Sequence, residues 1–408
     1  MRIILSALLV FFIQYTATAQ LLPVQYDTLV RSHEIILSGA FEYSGSALQN
    51  AVTSKFIRGG VITSEIKDAS FDRHKRVNRF GGSFSADAEY RNYNIRPFKK
   101  RDWGMVFKAG AFGFGGALYS DDAYGLTFYG NERYIGDTID MSGMSMSFTS
   151  MQKIGVGFID VKTKSSISLN FYNVSNRVSA NFRDLDIIQS ADGQNVELVI
   201  DGEVELRDNL KFVQGLGVGF DVDFKLPITL KEDQTAYVQF LVKNIGFAHL
   251  LEEQKVYSVD TSFAYSGFQF EDLIGDNAIV FDSVDVLDTL GITSLTKKRT
   301  ILLPGFIQIG KMVDSHNDHM LQSFFGVRLY PTLIYSPYVY AGMHVKANDW
   351  LYAGINIGYG GFSNFRGGLY TGVNFDHISV GVGTENLVGV FSKKGNGQSL
   401  YLRIRCAF

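Results

Sequence analysis

The chain ends in Ser399-Leu-Tyr-Leu-Arg-Ile-Arg-Cys-Ala-Phe408, where apolar and polar side chains alternate. Successive side chains of a strand point to opposite faces of the sheet. One face would carry Leu400, Leu402, Ile404, Cys406 and Phe408, and the other Tyr401, Arg403, Arg405 and Ala407. The segment therefore predicts a strand with one wholly apolar face. The strand alone does not show whether this apolar face packs in the core of a soluble protein or contacts lipid, so the rest of the sequence is needed.

The beginning of the chain predicts export. Met1-Arg2 is cationic, Ile3 to Ile13 is almost wholly apolar, and Ala17-Thr18-Ala19 offers the small residues of a cleavage site. This is the layout of a secretory signal peptide, so we expect 1–19 to be removed. No later run reaches the ~20 apolar residues that a membrane helix needs. A membrane protein with this sequence would therefore have to be a closed barrel, the other fold that satisfies every backbone group in lipid.

Composition also favours a barrel. The 408 residues include 42 Gly, 33 Phe and 21 Tyr but only 6 Pro, and 19% are charged, below the roughly one quarter usual in soluble proteins. A net charge of −3 argues against a nucleic-acid partner, which would require a basic excess. Cys406 is the only cysteine, so no internal disulfide is possible.

Alternating segments recur from residue 34 to the end of the chain. The clearest is 214–225, where Leu216, Val218, Phe220, Val222 and Phe224 alternate with Gly215, Gly217, Gly219, Asp221 and Asp223. Fourteen such segments can be counted, each about the 9–11 residues with which a tilted strand crosses a membrane. The pattern predicts an all-β fold, a fourteen-stranded transmembrane antiparallel barrel over 34–408, preceded by a short segment at 20–33.

The connections between these segments test the count. If the terminal strand ends in the periplasm, every second connection must also be periplasmic, and those connections are short. The opposite side then receives every long loop, as bacterial barrels require. We expect long extracellular loops at 44–78, 118–150, 173–213 and 248–299. A soluble all-β exported protein is the alternative.

Two resemblances point the same way. The terminal segment resembles the closing strand of bacterial outer-membrane barrels, whose terminal aromatic is read by the barrel-insertion machinery; here Leu400, Leu402, Ile404 and Phe408 would form that signal. The chain also resembles a group of Bacteroidota outer-membrane barrels of unknown function, similar in layout to the fatty-acid-transporter-like barrels that include a type IX secretion component. That likeness rests on Asn50-Ala51 with Lys55–Ile62, Tyr237–Gly246, Leu303–Gly310 and Trp350–Gly360.

No catalytic, cofactor or metal site is predicted. His344 and His377 face inward by parity, but two strands separate them and no Gly-x-Ser-x-Gly motif is present. The histidines of 314–319 lie in a polar turn without the spacing of a metal site. The acidic loop 248–299 does not match a calcium loop. We therefore do not expect an enzyme.

Glycine and charged residues predict three structural features of the barrel wall. Inward-facing Gly215, Gly217 and Gly219 predict a wall of low relief, with room for water, a ligand or an inserted segment. A second group, Gly113, Gly115 and Gly116, marks either a strand kink or room for aromatic neighbours. At the barrel seam, parity places Glu34 and Arg405 within reach of one another. Whether 34–43 is the first barrel strand or part of a plug stays open at this stage.

Two functions fit these observations. The first is passive uptake or export of a small apolar molecule. The second is a non-transporting scaffold or accessory barrel for protein secretion, similar to type IX, or for surface-protein assembly. Either would have outer-membrane lipid, the insertion machinery and, for the second, a secreted or surface protein as partners. An open lumen would favour transport, and a blocked lumen with exposed apolar loop residues would favour the scaffold.

Overall fold

The structure, a computed structural model, describes residues 25–26, 31–206, 212–229, 235–251, 254–265, 292–314 and 319–408. The predicted signal peptide over 1–19 lies outside the described residues, as does much of the acidic segment, 266–291. Strands are labelled β1 to β21 in chain order.

The described residues form a closed antiparallel barrel of fourteen strands. These are β2 (His33–Gly45), β3 (Asn78–Asn92), β4 (Trp103–Tyr119), β6 (Ser145–Asp160), β7 (Ser166–Gln189), β9 (Gly215–Thr229), β10 (Thr235–Leu250), β14 (Phe306–Lys311), β16 (Leu321–Leu329), β17 (Ser336–Lys346), β18 (Leu351–Gly361), β19 (Phe365–Asn374), β20 (Ile378–Thr384) and β21 (Gly397–Ala407). The predicted fold class and strand number are confirmed.

The barrel is closed by pairing between its first and last strands, β2 and β21. β2 pairs with β21 from Glu34 opposite Ala407 to Ser44 opposite Gly397, and it pairs with β3 on its other side. Residues 34–43 are therefore a strand of the barrel wall and not part of a plug. We call the end that holds His33 and Phe408 the terminus end, and the opposite end the loop end.

The outer face of the wall is apolar along most strands. Large hydrophobic side chains stay exposed there at the positions that the alternation predicts, among them Ile35, Leu37, Ile154, Leu169, Leu216, Val218, Phe220, Phe325, Val339, Ile355, Leu369, Leu400 and Leu402. Rings cluster at the terminus end, where Trp103 packs against Phe158 and Trp350 stacks on Phe375. An apolar band bordered by aromatic residues is typical of a barrel surrounded by lipid.

One strand assignment from the sequence is wrong. The pattern over 301–309 predicts a single strand with Ile301 and Leu303 facing outward, but the structure has β13 (Thr300–Leu302) and β14, both paired with β10. Leu302 faces outward at 45% exposure, whereas Ile301, at 6%, faces the lumen. The strand is interrupted at 303–305, beside the bulge in β10 between Val242 and Ile245. Residues before the interruption therefore lie on the opposite face from the one that unbroken alternation predicts.

The loop end carries a second sheet, the loop-end sheet. β7 continues past the barrel and pairs with β5 (Thr138–Asp140) and β8 (Val196–Leu206); β8 pairs with β11 (Gln254–Tyr265), and β11 with β12 (Thr293–Lys297). Arg299 ties β8 to the barrel through Glu203 and Glu205. At the terminus end, the short strands β1 (Gln25–Tyr26) and β15 (Val313–Asp314) pair in parallel.

Short helices complete the connections. Helices α1 (Asn50–Arg58), α2 (Ser64–Phe71), α3 (Asp121–Tyr129) and α4 (Leu387–Phe391) lie at the loop end, as does a 3-10 turn at Glu132–Tyr134. A second 3-10 turn, Pro97–Lys99, lies at the terminus end between β3 and β4. Ser120 caps α3 by accepting a hydrogen bond from the Ala123 backbone N–H. No helix among the described residues is long and apolar enough to cross a membrane.

Candidate functional site in the barrel lumen

The terminus half of the lumen is a cavity of about 110 Å³ lined by charged side chains, which we call the charged chamber. Alternation explains its composition, since in the terminus half of the barrel most apolar strand residues face outward and most polar ones face inward. The basic lining residues are Arg91, Lys108, Lys153, Lys164, Lys225, Lys243, Arg403 and Arg405. The acidic lining residues are Glu34, Asp87, Glu89, Asp221 and Asp223.

Ion pairs cross the chamber between distant strands. Lys243 Nζ on β10 lies 2.8 Å from Asp87 Oδ2 on β3. Asp221 Oδ2 on β9 lies 3.2 Å from both Lys108 Nζ on β4 and Lys153 Nζ on β6. Lys153 also lies 3.4 Å from Asp87. Five strands are thereby joined through the interior, which fixes the wall and fills the space between them.

Asn244, in the β10 bulge, completes this network. Its backbone has a φ of 59°, a left-handed conformation that asparagine tolerates better than most residues. In that conformation its N–H donates to Asp221 Oδ1 at 2.8 Å, and its Oδ1 accepts from Lys153 Nζ at 2.8 Å. Sequence reasoning missed this residue. The available signal was the consecutive polar pair Lys243-Asn244 inside an otherwise alternating strand.

The structure brings the predicted seam residues together. Arg405 Nη2 lies 2.8 Å from Glu34 Oε1. Glu34 is 1% exposed and also receives Arg91 Nη1 at 3.4 Å and Lys164 Nζ at 3.8 Å. The inward direction of both side chains predicted a single ion pair between Glu34 and Arg405. In the structure the Glu34 carboxylate lies among three cations at the terminus end of the chamber.

Rings fill the lumen toward the loop end, in a group that we call the aromatic barrier. Phe114 on β4, the third barrel strand, lies 4.5 Å from Tyr330 and 5.3 Å from Phe362 between ring centroids. Tyr330 follows the ninth strand and Phe362 follows the eleventh, so these contacts join opposite walls. Other members are Phe112, Tyr172, Phe306, Phe324, Tyr335, Tyr338, Tyr340 and Tyr370. These ring contacts span the lumen at this level.

The glycines of β9 face inward, but barrier residues occupy the space beside them. Tyr172 on β7 lies opposite Gly217, and Leu250 on β10 lies opposite Gly215; both side chains are almost fully buried. A Cβ on Gly217 would lie 2.8 Å from the Cβ of Ala248. Side chains of β10 therefore occupy the space beside Gly215 and Gly217 in the predicted low-relief wall. At Gly219, its third member, the nearest atoms are backbone atoms of Ile245 and Gly246.

The glycines of β4 do not form a kink. β4 pairs with β3 from Asn78 to Asn92 and with β6 from Ser145 to Asp160 without a register shift, through Gly113, Gly115 and Gly116. The ring of Phe84 covers Gly113, where a Cβ would lie 2.1 Å from a ring carbon. The structure thus favours the alternative, room for aromatic neighbours.

The residues considered for catalysis each have a separate partner. His344 Nδ1 lies 3.0 Å from the Tyr370 hydroxyl, and His377 Nδ1 lies 3.0 Å from the Ala407 carbonyl oxygen. Ser379 donates to Asn374 Oδ1. In the polar turn 314–319, residues 315–318 lie outside the described residues. Elsewhere in the described chain, no group of three or more His, Cys, Asp and Glu side chains could hold a metal ion.

No family model and no curated protein sequence matches the chain. Three similar solved structures are all 9% identical to it. The transport unit of the autotransporter AIDA-I from Escherichia coli has a TM-score of 0.25 (99% of this chain and 97% of that chain covered). The translocator domain of the autotransporter NalP from Neisseria meningitidis has 0.27 (100% and 95%). The Pseudomonas putida toluene transporter TodX has 0.36 (92% and 87%). These TM-scores are too low to support any inference about function.

Proposed function

We propose that the protein is an outer-membrane β-barrel with a closed lumen, and that it acts as a non-transporting scaffold in protein secretion or surface-protein assembly. The aromatic barrier carries this proposal, because its rings join opposite walls of the barrel. The apolar outer band supports insertion in lipid. Both termini would face the periplasm, and the insertion machinery would read the strand that ends at Phe408.

The interior does not suit the first function predicted from the sequence, passage of a small apolar molecule. The charged chamber would bring such a molecule against thirteen charged side chains, with Ile36, Ala88 and Leu241 as its apolar lining residues. A lateral exit through β4 is not supported either, because its pairing with β3 and β6 is continuous. The geometry therefore favours the scaffold over the transporter.

The loop end offers surface for a protein partner. Large apolar side chains stay exposed in its connections, including Val61, Leu333, Val388 and Phe391, the last at 82% exposure. Exposed apolar surface commonly marks protein interaction sites. The loop-end sheet adds backbone beyond the barrel rim, with β12 paired to β11. A secreted or surface-displayed protein is the partner that a scaffold at this position would hold.

Conductance tests the closed lumen. The purified protein, inserted in planar bilayers, should give no steady current steps, while an open porin measured in parallel should. Phe114→Ala with Tyr330→Ala removes the contact that joins the two walls, so this variant should show current noise or brief openings. Steady porin-like conductance of the unaltered protein would refute the proposal.

Surface display in the native host tests the scaffold. Val388→Ser with Phe391→Ser should leave the amount of barrel unchanged but lower the amount of surface protein released by protease shaving. Thr127→Ala, which changes an exposed polar residue of α3 and leaves Val388 and Phe391 in place, is the control. Unchanged display in a strain that lacks the barrel altogether would exclude the scaffold function.

A further inference from the structure

We propose that the charged chamber is a binding site for a small oxyanion such as inorganic phosphate, and that Arg403 is the residue that holds it. This inference goes beyond the scaffold function and does not depend on it, because a closed barrel and a conducting one could both contain the site.

Charge balance is the first reason. Eight lysine and arginine side chains line the chamber against five aspartates and glutamates, a formal excess of three positive charges among the described residues. Unbalanced charge in a low-dielectric interior is unfavourable unless an opposite charge accompanies it. The excess attracts an anion, since a local surplus of positive charge concentrates counter-ions.

The acidic side chains of the chamber are already engaged. Asp87 and Asp221 each receive two lysines, and Glu34 receives three cations. Asp223 lies 2.7 Å from Lys225 Nζ, and Glu89 pairs with Arg91. No chamber carboxylate is therefore left without a cation, and the excess positive charge has no partner among them.

Arg403 is the chamber cation that stands apart from these pairs. Its guanidinium makes no hydrogen bond and no ion pair with any part of the chain that the structure describes. Its charged neighbours are Arg91 and Arg405, which have the same sign, and Glu89, which is already paired with Arg91. Its partners in the sheet are Ser38 on β2 and Gly381 on β20. Gly381 has no side chain to cover the guanidinium, and Ser38 lines the same chamber.

The guanidinium of Arg403 indicates the class of ligand. A guanidinium presents parallel N–H donors that match two oxygens of a carboxylate, phosphate or sulfate. The cavity, about 110 Å³, accommodates a small ion but not a peptide or a sugar chain. Partial exposure of Arg405, at 21% of its side chain, leaves the terminus end of the chamber accessible to solvent ions.

The test uses the full chain, purified in detergent, and inorganic phosphate as the probe. Calorimetric titration should show saturable binding, with sulfate competing and chloride at matched ionic strength giving no signal. Arg403→Gln should weaken phosphate binding by about tenfold or more, the range of a lost bidentate contact. Arg183→Gln, in the exposed loop-end sheet, removes the same charge outside the chamber and should bind as the unaltered protein does.

Two outcomes would overturn the proposal. One is the absence of saturable phosphate binding by the unaltered protein. The other is equal weakening by Arg403→Gln and Arg183→Gln, which would mean general charge screening. If Arg403→Gln does not give a heat-modifiable, folded barrel, Arg403→Lys replaces it. The lysine keeps the charge but loses the paired donors, so phosphate affinity must still fall relative to the unaltered protein.

Discussion

Two buried carboxylates, Glu42 and Glu385, share the single guanidinium of Arg366. Arg366 Nη1 lies 2.9 Å from Glu42 Oε2 and 3.6 Å from Glu385 Oε2. Tyr401 donates to Glu385 at 3.3 Å, and the Tyr338 ring lies under the guanidinium. Burial of Glu385, in the connection after β20, raises its pKa to about 7 despite the nearby arginine. One carboxyl of the pair is thus held close to neutrality.

We expect Glu385 to make the barrel less stable at alkaline pH. A carboxyl with a raised pKa stabilises the fold below its unfolded pKa near 4.5, and this contribution is lost as pH rises through about 7. The loss between about pH 5.5 and 8.5 is ~2 kcal/mol. Glu385→Gln should remove this component of the pH profile of urea unfolding. Glu65→Gln, on α2, should keep the original profile, and parallel profiles for all three proteins would contradict the assignment.

The face on which a residue lies should decide whether it tolerates a charge. Phe220 is exposed on the outer wall, whereas Asn356 faces the lumen between Gly342 and Gly368 on the neighbouring strands. Phe220→Arg should cost roughly 2–4 kcal/mol near the bilayer midplane, and Asn356→Arg should cost less because lumen charges stay solvated or paired. Heat-modifiable gel migration measures the folded fraction. Equal folded fractions would mean that the outer face is not in lipid.

At the scale of elements, β21 shows how little the terminal residue adds to the fold. Phe408 exchanges two backbone hydrogen bonds with His33, at 2.8 and 3.0 Å, and its ring stacks on the His33 imidazole. The ring itself is 59% exposed. The backbone bonds close the ladder, so the side chain is available for recognition during assembly.

Phe408→Ser should therefore impair assembly more than stability. The backbone bonds to His33 remain, and the unfolding midpoint of the refolded protein should change little. If the insertion machinery reads the aromatic side chain, outer-membrane levels should fall and periplasmic degradation should rise. Phe375→Ser, which removes an exposed rim ring elsewhere, controls for loss of an aromatic. Normal membrane abundance of Phe408→Ser would contradict the assembly signal.

At the scale of the whole molecule, closure of the barrel depends on the seam between β2 and β21. The register of this seam can be tested directly. Ile36 lies opposite Arg405, while Glu34 lies opposite Ala407 and reaches Arg405 diagonally. In a Cys406→Ser background, Ile36→Cys with Arg405→Cys should form a disulfide on oxidation, because directly opposed Cβ atoms lie ~4.5–5.5 Å apart. The diagonal pair, Glu34→Cys with Arg405→Cys, should crosslink less readily, since diagonal neighbours are ~7–8 Å apart.

Heat-modifiable migration must show that both double variants fold. A folded barrel in which the diagonal pair crosslinks and the direct pair does not would require a seam shifted by two residues.

The alternation in the sequence was sufficient to predict the fourteen strands and most of their outer faces. The two faces of each strand can be assigned from its own sequence, because side chains alternate with a period of two whichever strands lie beside it. Leu216, Val218 and Phe220 are outward for this local reason, and Glu34 and Arg405 inward. The predicted faces are wrong where the period is interrupted, at the β10 bulge around Asn244 and at 303–305 beside it.

What fills the lumen was decided by the tertiary structure alone. Asp87 and Lys243 are 156 residues apart in the chain, and Phe114 meets Tyr330 across the barrel. Such contacts depend on strand number, stagger and closure together, which no single segment encodes. The sequence could show that these side chains point inward. Whether they meet and close the lumen, or leave Arg403 unpaired beside a cavity, follows only from bringing opposite walls to their actual separation.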